Sequence, residues 1–342
     1  MRLEEFNYYL PPGFIAQKPI KPRDHSRLMI LDRSRKEIEH NIFKNVGTYL
    51  KKGDILVLNN TKVFPSRVYG YKEGTKGKVE ILLVKHLKNK YWEVLIKPGK
   101  RVHPGTKIIF GVELEGRVES KNREKGSCII KFNFVGDFKE ILKKIGQMPT
   151  PPYIKAKLEE KENYQTVYAA QEGSIAAPTA GFHFTKTLLK KLNSIGIEIV
   201  YLVLHVGRGT FEPIRVSKLA KHKMSSELYY ISPESAEKIN QARCDNRRIV
   251  SVGTSTTRTL ESAFNWETGK IKSGSGRSEI FIYPGYKFKA IDVLITNFHL
   301  PQSTPLMMAT AFAGKDFLLD SYKEAINEKY RFYSFGDAMI II

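Results

Sequence analysis

Three histidines and one aspartate of this sequence stand where their side chains could transfer protons. His183 lies between two phenylalanines in an uncharged stretch of small residues, SIAAPTAGFHFT. His205 and His299 each end an apolar segment, and Asp337 lies in the glycine turn SFGDAM. Histidine changes its charge near neutral pH and is the most frequent general acid or base. A histidine beside aromatic residues is, however, often structural, and Asp337 could simply stabilise its turn.

Small and hydroxyl residues follow three apolar segments of the C-terminal half. They are GRGTFEP (207–213), GTSTTRTLE (253–261) and NFHLPQST (297–304). Ligands of α/β sheets bind beyond the carboxyl ends of the strands, so we expect the three segments to surround one site. The helix predicted after Gly253 offers free N–H groups and Arg258 for an anion, although capping by Thr254 or Ser255 explains the same residues without a ligand.

Arg258 and Glu261 are three positions apart and therefore share one face of that helix. Arg258 could bind a substrate carboxylate or phosphate, and Glu261 could bind an amine. The alternative is that the two side chains form an ion pair with each other.

Apolar segments of strand and helix type alternate after residue 151. IEIVYLVLHV, RRIVSVG and AIDVLITNFH predict buried strands, and SPESAEKINQA, STTRTLESAF and LMMATAFAG predict helices. Ser232 and Pro233 are typical of the first positions of a helix. Such alternation is typical of an α/β domain with partly parallel strands. The strand-like segments within residues 1–65 are too few to fold alone, so we predict one discontinuous α/β domain, 1–65 plus 151–342.

Residues 66–150 follow a different pattern. Short alternating runs such as KVEILLV, YWEVLI and SCIIKFNF predict a small antiparallel β-barrel inserted into the α/β domain. The segment has 19 basic and 9 acidic residues, a net charge of +10, and the whole chain has a net charge of +21. This surplus favours a polyanionic partner such as nucleic acid, and a lysine-rich solvated surface is the alternative.

Composition argues against several other classes of protein. Cys128 and Cys244 form no CxxC pair, and no HExxH spacing occurs, so we expect no metal site and a reducing compartment. The N-terminal segment lacks the apolar core of a signal peptide. No apolar run approaches the roughly 18 residues that a membrane span needs. We therefore expect a cytoplasmic protein with no membrane partner.

Eight segments together resemble one known family, the S-adenosylmethionine:tRNA ribosyltransferase-isomerases of queuosine biosynthesis. They are LPPGFIAQKPIKPRDHSRLMIL, GDILVLNNTKVFPSRV, SIAAPTAGFHFT, LHVGRGTFEPI, VGTSTTRTLESA, FIYPGYKF, LITNFHLPQST and YRFYSFGDAM. The resemblance extends over the whole chain, and the insert matches in position and length more than in detail. The segment HKMSSE departs from the family's His-x-Met-His, because Ser225 replaces the second histidine.

The resemblance implies a defined reaction. The ribosyl group of S-adenosylmethionine is transferred and isomerised onto 7-aminomethyl-7-deazaguanine at the wobble position of tRNA. The products are epoxyqueuosine-tRNA, methionine and adenine, and the family is described as monomeric and free of metal or other cofactors. This chemistry needs a base at the ribose carbon beside the sulfonium, an acid at the departing adenine and a group that deprotonates the acceptor amine. We expect the four residues His183, His205, His299 and Asp337 to supply these functions.

The matching motifs also contain the residues that we expect to bind the substrates. They are Arg23, Arg27, Thr179, Gly181, Phe182, Gly207, Gly209, Thr210, Thr254, Arg258, Glu261 and Asn297. We expect adenosine or the deazaguanine to lie against the small residues AAPTAGF, where Phe182 or Phe184 could stack on it. A tight turn of the core would need the same small residues.

Two other functions stay open from the residues alone. An S-adenosylmethionine-dependent RNA methyltransferase would carry a glycine-rich loop after its first strand, and the sequence has none of the GxGxG kind. A non-catalytic RNA-binding protein, with the insert as an oligonucleotide-binding fold, would explain the +10 charge but not the three polar strand-end segments. Release of free adenine distinguishes ribosyl transfer from both.

Overall fold

The computed structural model describes residues 1–122, 124, 126–207, 209 and 214–342. It divides into two compact units: unit 1 is Met1–Lys62 with Pro152–Ile342, and unit 2 is Val63–Pro151. Within the described residues the strands of unit 1 are β1 (Arg27–Asp32), β2 (Glu37–Ile42), β3 (Ile55–Asn59), β11 (Gln171–Ser174), β12 (Glu198–Leu204), β13 (Glu227–Ile231), β14 (Ile249–Val252), β15 (Phe264–Asn265), β16 (Lys270–Ile271), β17 (Gly274–Ser278), β18 (Val293–Asn297) and β19 (Ala338–Ile341). Its helices are α2 (Lys186–Ser194), α3 (Pro233–Cys244), α4 (Thr254–Ala263), α5 (Thr304–Ala313) and α6 (Lys315–Asn327). The remaining elements are β4 (Thr61–Val63), at the boundary, and, in unit 2, β5 (Arg67–Lys72), β6 (Lys78–His86), β7 (Tyr91–Lys97), β8 (Lys107–Ile109), β9 (Leu114–Asn122), β10 (Ser127–Phe134) and α1 (Phe138–Ile145).

A mixed sheet forms the centre of unit 1. In the described residues it has nine strands in the order β17-β13-β12-β3-β14-β18-β19-β1-β2. The four central strands β12, β3, β14 and β18 are parallel to one another. The carboxyl ends of these four strands therefore meet at one edge of the sheet. This arrangement confirms the predicted α/β class.

Strand β3 is buried on both faces, as expected for a central parallel strand. Ile55 and Val57 belong to one apolar core, and Leu56 and Leu58 belong to the other. Helices α3 to α6 contribute to the first core, and α2 contributes to the second. The parallel strands thus read as continuous apolar runs because helices cover both sides of the sheet.

Serine side chains cap the starts of α3 and α5, whereas α4 and α6 begin after glycines. Helix α3 begins after Ser232, whose side chain accepts the N–H of Ser235, and α5 begins after Ser303, which caps it in the same way. Helix α4 instead follows Gly253, which has a φ of 86° and provides no side-chain cap. The N–H groups of the first turn of α4 therefore have no acceptor within the helix or its cap.

Unit 2 is a closed antiparallel barrel with the strand order β10-β7-β6-β5-β8-β9. Alternate residues of each strand point inward, and Val68, Ile81 and Ile130 are completely buried in its core. Phe138 of α1 packs against Phe132, with ring centroids 5.2 Å apart. The barrel confirms the predicted inserted fold, and β5 adds a strand that begins before the first run identified in the sequence.

Candidate active site

A pocket lies in unit 1 beyond the carboxyl ends of β12, β14 and β18. Its backbone wall is the segment 176–180, which belongs to the uncharged stretch of the sequence. Its polar and aromatic lining residues are Tyr153, Tyr164, Thr179, Glu227, Thr254, Ser255, Arg258, Phe281, Thr296, Asn297, His299, Thr304, Tyr333 and Ser334. Residues from two of the three strand-end segments, together with Val206 just before the first, therefore surround one pocket.

Two helix N-termini reach this pocket. Thr254 and Ser255 from the first turn of α4 line it, as do Thr304 and Pro305 from the first turn of α5. The hydroxyl of Ser255 is held by the side-chain amide of Asn59 at 3.1 Å and does not cap the helix. Because a helix N-terminus carries partial positive charge and free N–H groups, this end of the pocket favours an anionic ligand group.

Arg258 forms a buried ion pair with Glu227 in the wall of the pocket. The guanidinium also donates to the carbonyls of Ser278 at 3.1 Å and Ile280 at 3.3 Å. The second carboxylate oxygen of Glu227 accepts the N–H of Gly207 at 2.8 Å. Both charges are thus compensated inside the protein. Each of the three guanidinium nitrogens of Arg258 already donates a hydrogen bond to a protein acceptor.

Glu261 lies outside the pocket lining and makes no ion pair with Arg258. Its carboxylate accepts the hydroxyl of Tyr286 at 2.9 Å and the backbone N–H groups of Lys289 at 3.2 Å and Ala290 at 2.9 Å. Burial raises the pKa of Glu261. The alternative of an ion pair between Arg258 and Glu261 is therefore wrong: Glu261 fixes the segment 286–290, and the partner of Arg258 is Glu227.

His299 is the one predicted catalytic histidine in the described lining of the pocket. It is 7% exposed, and its Nε2 lies 2.9 Å from the hydroxyl of Thr296. Its backbone N–H donates to the hydroxyl of Tyr322 at 2.9 Å, which fixes the position of the residue. Burial lowers the pKa of His299 to about 3. The imidazole is therefore neutral near pH 7.

His183 lies behind the pocket, in a small adjoining cavity that Arg23 and Phe182 also line. The imidazole is 3% exposed and lies 5.0 Å from the ring of Phe43. Burial, together with the positive charges of Arg331 and Arg23, lowers the pKa of His183 to about 3. This histidine is neutral as well.

A chain of hydrogen bonds connects His183 to the pocket. The amide nitrogen of Asn297 lies 3.0 Å from Nε2 of His183, and its amide oxygen accepts the hydroxyl of Thr179 at 3.0 Å. Since the amide nitrogen can only donate, Nε2 is an acceptor, and Nδ1–H donates to the hydroxyl of Ser26 at 2.7 Å. Asn297 and Thr179 line the pocket, so His183 fixes the orientation of two pocket residues.

His205 and Asp337 do not line the pocket in the described part of the chain. Nδ1 of His205 lies 2.9 Å from the hydroxyl of Thr61, and burial lowers the pKa of His205. The carboxylate of Asp337 accepts the backbone N–H of Arg27 at 3.1 Å and that of Arg331 at 2.7 Å, and it also pairs with the guanidinium of Arg331 at 3.2 Å. Asp337 thereby ties the C-terminal turn to β1.

Two predicted arginines are engaged by the protein itself. Arg23 donates to the carbonyls of Gln165 at 2.5 Å and Glu162 at 2.7 Å. Arg27 contacts the carboxylate of Glu328 at 3.3 Å, and its guanidinium lies 3.8 Å from the centre of the Tyr330 ring. Both side chains connect separate segments of unit 1.

The small residues of the uncharged stretch have two different environments. Residues 176–180 face the pocket, whereas a Cβ added to Gly181 would lie only 1.9 Å from the hydroxyl of Tyr168. Phe182 stacks on Phe335 at 5.9 Å, and Phe184 is fully buried beneath the sheet. Residues 176–180 thus line the pocket, and Gly181 forms a tight core turn.

Gly209 and Thr210 are the last two residues of the predicted binding set. Gly209 is buried, and a Cβ added there would lie 2.8 Å from that of Ser225, so this position is closely packed against protein. Thr210 lies outside the residues that the structure describes.

Sequence reasoning missed several pocket residues, of which Glu227 is the most important. It is a buried carboxylate at the start of β13, an unusual position for a glutamate in an otherwise apolar-alternating strand. Tyr333 and Ser334 were also missed, although they lie in the same motif as Asp337. The hydroxyl of Ser334 lies 2.7 Å from that of Tyr153, whose ring packs edge-on against Tyr333 at 4.0 Å.

Among the residues that the structure describes, no three His, Cys, Asp or Glu side chains are grouped to hold a metal ion. In the same residues, no helix has the length and apolar character of a membrane span.

A pocket at the carboxyl ends of parallel strands, with helix N-termini at its edge, defines the class of α/β proteins that bind a small ligand at the sheet edge. The sequence model of the family described as "Queuosine biosynthesis protein" matches residues 3–341, and the chain belongs to this family. It is therefore an enzyme of queuosine biosynthesis, as the resemblance of the eight motifs implied.

Full-length relatives agree with this assignment. Two proteins named S-adenosylmethionine:tRNA ribosyltransferase-isomerase, from Thermoanaerobacter sp. (strain X514) and Clostridioides difficile (strain 630), are each 53% identical to the chain and match over 100% of both lengths. A crystal structure of S-adenosylmethionine tRNA ribosyltransferase from Thermotoga maritima is similar with 37% identity and a TM-score of 0.56. It covers 99% of this chain and 100% of its own.

Proposed function

We propose that the pocket of unit 1 binds S-adenosylmethionine, and that the ribosyl group is transferred from there to a deazaguanine base of tRNA and isomerised. The enzyme class follows from the full-length similarity to ribosyltransferase-isomerases. The observation that supports this location is the meeting of an uncapped helix N-terminus, aromatic side chains and a neutral histidine in one pocket.

The donor has three parts that the pocket can accommodate. The methionine carboxylate is suited to the first turn of α4, where Thr254 and Ser255 present free N–H groups. The flat adenine is suited to aromatic side chains such as Phe281 and Tyr333. The ribose then lies between them, within the part of the pocket lined by His299.

His299 is the residue that we assign as general base. When Nε2–H donates to the hydroxyl of Thr296, Nδ1 keeps a free lone pair, and Nδ1 has no other partner in the described residues. A base at this place takes the proton from the ribose carbon beside the sulfonium, which is the first requirement of the reaction. Burial lowers the pKa of His299 and so keeps the imidazole neutral at physiological pH.

The other predicted residues then have supporting roles. Thr179 and Asn297 contact the donor, and His183 positions them through its bond to Asn297. Arg258 with Glu227 shapes the wall, and Asp337 holds the C-terminal turn that carries Tyr333.

The acceptor is a tRNA, and we assign its binding to the basic unit 2. Six lysines there, Lys72, Lys76, Lys78, Lys85, Lys88 and Lys90, are partly or fully exposed. Each phosphate that they neutralise would release counterions, which makes the affinity strongly dependent on salt.

Substitution His299→Gln tests the catalytic assignment. Turnover, measured as adenine released from S-adenosylmethionine and precursor tRNA, should fall by roughly 100-fold or more. The affinity for S-adenosylmethionine, measured by calorimetry, should change little. The matched control is His40→Gln, because His40 belongs to the same unit, bonds to Tyr330 and lies outside the pocket lining. Normal turnover of His299→Gln, or equal losses in both variants, would contradict the assignment.

A further inference from the structure

Two tyrosines stand side by side on the outer surface of the unit 2 barrel. Tyr69 and Tyr71 are each 50% exposed and alternate along β5 with the buried residues Val68 and Gly70. Within the described residues neither ring packs against another aromatic ring or a cationic side chain. Large apolar rings that a barrel exposes on one face are typical of a binding surface.

The register of the barrel places positive charge on the same face. Tyr71 lies opposite Lys78, Tyr69 lies opposite Glu80, and Glu80 lies opposite Lys97 on the next strand. Directly opposed residues of antiparallel strands project from the same side of the sheet. Glu80 is engaged with Arg67 at 3.2 Å, while in the described chain neither lysine forms an ion pair. We call Tyr69, Tyr71, Lys78 and Lys97 the tyrosine face.

This combination fits single-stranded nucleic acid better than other partners. Bases stack on exposed aromatic rings while lysines bind the phosphates between them. A paired duplex keeps its bases stacked inside and offers none to the rings, and protein interfaces are depleted of lysine at their centres. The two residues are about 6.6 Å apart along the strand backbone, roughly twice the 3.4 Å rise of a stacked strand, so each ring can take a separate, splayed base.

We infer that the tyrosine face binds unpaired nucleotides of the RNA substrate, with Tyr69 and Tyr71 as stacking platforms and Lys78 and Lys97 on the phosphates. The inference rests on the proposed function, in which that substrate is a tRNA. It adds a means of recognising a loop, which the net charge of unit 2 does not by itself provide.

Fluorescence anisotropy with two labelled RNAs tests the inference. The first RNA is an anticodon stem–loop hairpin, and the second is a blunt duplex with the sequence of its stem. Replacing each tyrosine by alanine should weaken hairpin binding by about tenfold per ring and leave duplex binding unchanged. The double Tyr→Phe variant, which keeps both rings, should bind the hairpin like the wild type. The matched control is Tyr230→Ala, a tyrosine of unit 1 that is 44% exposed on a strand.

The possible outcomes separate the inference from the proposed function. Wild-type hairpin affinity in the double alanine variant overturns the inference and leaves the proposed function intact. Equal weakening of hairpin and duplex also overturns it, because stacking on a duplex is not available. If the wild type binds neither hairpin nor tRNA, the proposed acceptor itself is wrong. Should the alanine variant fail to fold, Tyr→Leu against Tyr→Phe decides, since only phenylalanine keeps a stacking ring.

Discussion

Acidification should destabilise unit 1 through its two buried histidines. Burial lowers the pKa of both His183 and His299 to about 3, whereas a histidine of the unfolded chain titrates near 6.5. Below pH 6.5 the unfolded chain therefore binds protons that the folded chain excludes. The stability associated with each histidine is complete above pH 6.5 and is lost progressively as the pH falls towards 3.

The size of the effect follows from the two pKa values. Each proton taken up by the unfolded state alone costs about 1.4 kcal/mol per pH unit. At pH 5, which is 1.5 units below the unfolded pKa, one histidine costs about 2 kcal/mol and both cost about 4 kcal/mol. Since natural proteins unfold with only about 5–15 kcal/mol, this loss should be easily measured.

Urea unfolding at pH 7.5 and pH 5.0, followed by helical circular dichroism, measures the effect. The signal reports mainly unit 1, because α2 to α6 lie there and only α1 lies in unit 2 among the described helices. The variant His299→Gln should reduce the pH-dependent difference in unfolding free energy by about 2 kcal/mol, and His183→Gln combined with it should reduce the difference by about 4 kcal/mol. A smaller difference should remain, because burial also lowers the pKa of His205. His40→Gln is the control and should behave like the wild type. If the unfolding free energy of the double variant depends on pH as strongly as that of the wild type, the reasoning is refuted. The folded protein would then bind protons at these two imidazoles as readily as the unfolded chain does.

Two further substitutions test how the pocket is built. Gly181→Ala should lower the unfolding free energy by about 1–3 kcal/mol, because the new Cβ would lie 1.9 Å from the hydroxyl of Tyr168. Adding Tyr168→Phe removes that hydroxyl and should restore part of the lost stability. An unchanged melting temperature of Gly181→Ala would contradict the close contact. Asn297→Ala removes the partners of His183 and Thr179 and should cost about 1–3 kcal/mol per group left unpaired. In that variant the loss of turnover should exceed the loss in His183→Gln, since His183 acts through Asn297. The reverse order would show that His183 acts independently.

The sequence predicted the fold well because its signals are local. Apolar runs such as IVSV gave buried strands, the Ser232–Pro233 pair gave the start of α3, and Gly314 ended α5 with a φ of 92°. Strand β5 was missed as part of the barrel because YGY interrupts its apolar pattern. There Gly70 is required, since an added Cβ would lie 2.7 Å from the carbonyl of Ile109.

The candidate site was less accessible to sequence reasoning, because it depends on long-range contacts. The spacing of Arg258 and Glu261 suggested a pair on one helix face, but Glu227 from β13 pairs with Arg258 instead. Equally, nothing in the sequence separates His299, which lines the pocket, from His183, which lies behind it. That distinction comes from contacts between distant segments, because Asn297 at the end of β18 bonds to His183 and also lines the pocket.

Identification of the products formed by the wild-type enzyme tests the central claim most directly. The enzyme is incubated with S-adenosylmethionine and tRNA that carries 7-aminomethyl-7-deazaguanine, and nucleosides and small molecules are analysed by mass spectrometry. Ribosyl transfer predicts epoxyqueuosine in the tRNA, with adenine and methionine released in equal amounts. S-adenosylhomocysteine with a methylated nucleoside would instead identify a methyltransferase, and tight tRNA binding with neither product would identify a non-catalytic RNA-binding protein.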